Sequence, residues 1–61
     1  MPIYEVAIIE KLKDHPERLV CGPNPYAAKN EQHAIIKAVL ESSILLENYD
    51  EDAIEVKVRP F

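Results

Sequence analysis

The most regular alternation of apolar and polar positions lies near the end of the chain, in Ala53-Ile54-Glu55-Val56-Lys57-Val58-Arg59. Successive side chains of a strand point to opposite faces, so the pattern predicts a half-buried strand. Ile54, Val56 and Val58 turn to a core, and Glu55, Lys57 and Arg59 turn outward. Only Pro60 and Phe61 follow. A strand so placed frays unless earlier segments hold it in a sheet, so the expectation is one small domain over residues 1–61. Residues 3–11 are rich in β-branched side chains but alternate less cleanly, with Tyr4, Val6 and Ile8 on one face and Ile3, Glu5, Ala7 and Ile9 on the other. A strand apolar on both faces belongs in the middle of a sheet.

Lys13-Asp14-His15-Pro16 supplies turn chemistry, and residues 17–21 read as a short second strand in a hairpin with the first. Gly22-Pro23-Asn24-Pro25 is expected to end that strand in a rigid turn. Its prolines remove the backbone N–H groups a phosphate cradle needs. Asn30 is a suitable helix N-cap, with Glu31 in the first turn. From there Ile35, Ile36, Val39, Ser43 and Leu46 recur at helical spacing, opposite Lys37 and Glu41. The expected architecture is α+β: ββαβ, a three-stranded antiparallel sheet in the order 2-1-3 with one helix on one face. A parallel pairing of the second and third strands is the alternative. The 2-1-3 order places Glu5 near Lys57 or Arg59, a favourable cross-strand pair. It also predicts that Val6, Ile8, Ile35, Val39, Val56 and Val58 are buried together.

The length of 61 residues permits only a thin core, since domains of this size bury only about 60% of their unfolded surface. One cysteine, Cys21, excludes an internal disulfide, so packing or association must supply the stability. The lone thiol suits a reducing compartment, and no signal-peptide pattern or membrane-length apolar run is present. The expectation is a protein of the cytoplasm of whatever cell makes it, with no membrane partner. A net charge of −4 argues against direct nucleic-acid binding. Glu47, Asp50, Glu51, Asp52 and Glu55 fall in a stretch without a base as far as Glu55. They read either as a solvated loop or as an acidic patch for a basic partner.

Candidate chemistry is sparse. Cys21 with His15 or His33 lacks the orienting third group of an activated nucleophile, and the same three residues lack zinc-ligand spacing. The sequence predicts no catalytic residues, no metal and no cofactor. Candidate interface residues are more numerous. Ile3, Ala7 and Ile9 lie on the sheet face that a single helix leaves open. Leu40 and Ile44 sit at i and i+4 off the apolar stripe, marking a partner surface if the helix continues past Ser43; if it ends near Ser42, Ile44 folds back into the core. Phe61 either closes the bottom of the core or anchors on a neighbour.

Four segments together carry a resemblance: Tyr4-Glu5-Val6-Ala7-Ile8-Ile9-Glu10, Leu19-Val20-Cys21-Gly22-Pro23, Ala34-Ile35-Ile36-Lys37-Ala38-Val39 and Ile54-Glu55-Val56-Lys57-Val58-Arg59-Pro60-Phe61. Over most of its length the chain resembles small uncharacterised proteins of tailed bacteriophages. No family activity comes with that resemblance, and it implies a virion part or a host-directed factor. The expectation is a non-enzymatic interaction module that binds a protein partner or forms a homo-oligomer, as a small virion-associated structural or accessory protein of capsid type. The alternative is an acidic inhibitor of a host enzyme or nucleoid protein.

Overall fold

The strand that is apolar on both faces does take the centre of the sheet. In the computed structural model, which describes residues 1–61, β1 (Ile3–Glu10) lies between β2 (Arg18–Ala27) and β3 (Ile54–Pro60), antiparallel to both. Helix α1 (Glu31–Glu41) packs on one face, followed by a short helix α2 (Ser43–Leu46) and a 3-10 turn (Glu51–Ala53) that leads into β3. The fold is α+β with sheet order β2-β1-β3, and β2 and β3 are not paired. No helix is long and apolar enough to cross a membrane.

The hairpin turn falls at residues 13–15, where Asp14 takes φ 66, a left-handed conformation that Asp tolerates better than most residues. Beyond it the structure corrects the sequence reading. Strand β2 does not end at Gly22-Pro23-Asn24-Pro25 but runs through it to Ala27. Two irregularities absorb the misfit. Between Val6↔Asn24 and Ile8↔Cys21, and again between Ile8↔Cys21 and Ile9↔Leu19, β2 spends one residue more than β1. Gly22 sits in the first of these bulges at φ +90, and a Cβ there would lie 2.7 Å from the Val6 carbonyl oxygen. Only glycine fits both the backbone conformation and the close approach.

Asn30 caps α1 as its side chain predicts, with Oδ1 accepting from the His33 N–H at 2.9 Å. The helix meets the sheet through Ala34 and Ala38, both fully buried, rather than through the larger residues of the expected stripe. Ile35 and Val39 are half-buried, and Ile36 and Ser43 are exposed. Two small side chains one turn apart let the helix axis approach the sheet closely, and the isoleucines are left on its flanks.

The core is correspondingly thin. Val6, Ala28, Ala34 and Ala38 form its centre, with Tyr4, Tyr26, Val56 and Val58 packed around them. Val6 and Ile8 are buried as expected. Val56, Val58, Ile35 and Val39 are only half-buried, because β3 is an edge strand with a neighbour on one side and the alanines occupy the centre of the helix contact.

Candidate interaction surface

The face of the sheet away from α1 is built in rows by the strand register. Ala27, Ile3 and Phe61 form the first row, since Ile3 pairs with Ala27 and its carbonyl accepts from the Phe61 N–H at 3.0 Å. Pro25, Glu5 and Arg59 form the next, Ala7 and Lys57 the third, and Leu19, Ile9 and Glu55 the last. An apolar row at one end and the Leu19–Ile9 pair at the other therefore bracket a charged centre, with Glu55 at its margin. There the Glu5 Oε1 accepts from Arg59 Nε at 2.6 Å and lies 2.5 Å from Nη2, the cross-strand pair the order 2-1-3 predicts. Lys57 Nζ lies 3.4 Å from Glu55 Oε1. Exposed pairs of this kind contribute about 0.2–1 kcal/mol each, so they orient this face more than they stabilise the fold. Glu5, Ala7, Pro23, Lys57, Val58 and Arg59 line a shallow depression of about 250 Å³, below the roughly 300–1,000 Å³ typical of ligand pockets.

The candidate interface residues divide. Ile3 is 47% exposed, Leu40 69%, Ile44 80% and Phe61 74%. Ala7 is half-buried. Ile9 is a correction: at 8% exposure it is a buried residue, not a surface one. It sits on the central strand with Leu19 and Glu55 opposite it on either side. Both alternatives for the end of the helix prove incomplete. The chain leaves α1 at Ser42 but resumes as α2, and Ile44 does not fold back into the core. Phe61 is tied down by its backbone, and its ring does not close the core.

Sequence reasoning missed Ile36, exposed one turn before Leu40, and Leu19, exposed on the open face. The i−4 spacing from Leu40 was a usable signal for the first. The second depends on the register shifts of β2, which no local pattern announces.

The acidic stretch also divides. Glu47, Asp50, Glu51 and Asp52 are exposed on the connection to β3, where Asp50 Oδ1 accepts from the Asp52 N–H at 3.0 Å and caps the 3-10 turn. Glu55 leaves that group for the sheet face, where Lys57 is its partner.

On the helix side, Cys21 Sγ lies 3.3 Å from Ser42 Oγ, so its polar partner is a hydroxyl and not His15 or His33. Next to it, burial pushes the Tyr26 phenol above its ordinary range, and the negative charge of Glu41 raises it further. Lys37 reaches back from α1 to donate to the Ala27 carbonyl at 2.5 Å. No three of the His, Cys, Asp and Glu side chains converge as a metal site would require. The chain matches no family model, no curated protein and no solved structure.

Proposed function

We propose that this domain works by binding protein, as a small virion-associated structural or accessory component of a tailed phage. The observation that carries this reading is the imbalance of its apolar residues. Nine large hydrophobic side chains are exposed, while seven residues in all are buried. Large apolar residues left wet in such numbers favour burial against another protein, at about 25 cal/mol per Å² of apolar surface covered. Ile3 and Phe61 on the sheet face, and Ile36, Leu40 and Ile44 on the helical side, are the residues such a partner would cover. The resemblance to small tailed-phage proteins supplies the setting, and the host cytoplasm is where the chain would be made.

Mass spectrometry of intact, gradient-purified particles from the producing cells tests the reading. The chain is expected among the particle proteins at a fixed ratio to the major capsid protein. Its absence from particles, with recovery on a host protein instead, would replace this reading by the inhibitor one. That second reading draws on the four exposed carboxylates before β3, of which Asp50 is already committed to a local cap.

A further inference from the structure

The two sides of β3 are chemically different. Its ladder to β1 uses the backbone groups of alternate residues. Phe61 donates to Ile3, Lys11 donates to Ala53, and the register between them places Glu55, Lys57 and Arg59 in the hydrogen-bonded pairs. The N–H and C=O groups of Val56 and Val58, and the carbonyl of Ile54, therefore point away from the sheet. The Ile54 N–H is already used, donating to Glu51 at the end of the 3-10 turn. Strand β3 is free of bulges, and no other element lies beyond it in the sheet.

We infer that this chain forms a two-fold dimer in which β3 pairs antiparallel with β3 of a second copy, Val56 opposite Val56, to make one continuous six-stranded sheet. The inference deepens the interaction reading above by naming the partner and the surface. About that axis, Val56 N–H of each copy donates to Val56 of the other, and Val58 N–H donates to the Ile54 carbonyl. Every donor still free on the edge is then used.

Charge fixes the register. With Val56 on the axis, Glu55 lies opposite Lys57 of the second copy, and Lys57 opposite its Glu55. These positions are the closely spaced, non-hydrogen-bonded pairs of the ladder. Both carboxylates and both ammonium groups meet on the exposed face as an alternating square, extending the Glu55–Lys57 pair already present within each copy. A slip to either neighbouring register that keeps the outward groups matched puts Lys57 against Lys57, or Glu55 against Glu55. On the helix side the same register sets Ile54 beside Val58 and Val56 beside Val56, three residues that are half-buried in the single chain and become covered.

Sedimentation equilibrium of the purified full chain, over concentrations up to about 1 mM, is expected to show a monomer–dimer equilibrium. Lys57→Glu and Glu55→Lys, each alone, place like charges opposite one another and are expected to weaken dimerisation by about tenfold or more. The double exchange Glu55→Lys/Lys57→Glu restores it. All three variants change exposed side chains, and circular dichroism checks that each remains folded. A wild type that stays monomeric throughout overturns the inference. So does a dimer indifferent to both single reversals but lost on Phe61→Asp, which assigns association to the open face instead. A monomer still found in purified particles would sink the dimer and leave the interaction reading standing.

Discussion

The sheet has two edges, and the chain treats them in opposite ways. Edge β2 carries Pro25 at a position whose backbone points outward and Pro23 within its first bulge, so that two N–H groups a pairing strand could use are missing. Two bulges further break its regularity. Edge β3 has neither device. Its register with β1 is unbroken, and its only proline is the last residue of the strand, Pro60. Edge strands invite pairing with other chains unless something blunts them. One edge here is closed by covalent means, while the other is governed by the order of its charges. The lesson is that an apparent turn signal, Gly22-Pro23-Asn24-Pro25, serves as edge protection.

The largest expected effect comes from attacking the closed edge at its least replaceable residue. Gly22→Ala forces a Cβ against the Val6 carbonyl at a left-handed φ and is expected to cost about 2–4 kcal/mol in urea unfolding. A loss under about 0.5 kcal/mol would mean the bulge can relax without glycine. Next, truncation distinguishes the centre of the sheet from its open edge. Val6→Ala, buried on β1, is expected to cost about 2 kcal/mol, and Val56→Ala, half-buried on β3, about 1 kcal/mol, measured on the dilute monomer. Equal losses would show that β3 is packed as tightly as the central strand.

A smaller change tests the comparison directly. Pro25→Thr returns an N–H to the outer side of β2, should alter stability by no more than about 0.5 kcal/mol, and is expected to raise concentration-dependent light scattering. If scattering does not change, the bulges and not the prolines close that edge. The smallest effect is in pH. Tyr26, on the helix face of β2, has its phenol held neutral by burial and by Glu41, so the folded chain keeps a proton that the unfolded chain releases at lower pH. Its contribution is intact below the ordinary phenol range and is lost as pH rises through the raised value. Tyr26→Phe should flatten the alkaline end of the stability profile, and an unchanged slope would show that Tyr26 is not the group responsible.

Much of the fold was readable because it rested on local pattern. The alternation about Val56, the cap at Asn30 and the doubly apolar β1 together fix the strand order, and Glu5 meets Arg59 as that order requires. What was unreadable rested on relations between segments. The length of β2 was hidden because prolines are tolerated where their missing N–H faces solvent, which depends on which strand lies on which side. The helix phase was hidden because Ala34 and Ala38 win the sheet contact by size, while a hydrophobicity pattern favours Ile35 and Ile36. Ile9 passed for a surface residue because a face without a helix was equated with an exposed one, and a central strand is flanked whichever way its side chains point. Leu40, Ile44 and Phe61 stood out as departures from the apolar stripe or from the strand, but the pattern left open whether Ile44 and Phe61 faced the core, and the structure puts all three at the surface.

The paired bulges of β2 also govern how this chain could change in length. Each bulge takes up one extra residue locally and hands the strand back in step with β1, so that Tyr26 opposite Tyr4 and Arg18 opposite Glu10 lie on one side of the sheet. Deleting one residue inside a bulge would straighten β2 there and leave Leu19 opposite Ile9 and Arg18 opposite Glu10. Deleting one from a regular stretch of β2 would turn every side chain beyond it to the other face. Evolutionary drift in the length of this hairpin arm is therefore channelled to two places, and single-residue insertions and deletions are tolerated at the bulges and not between them.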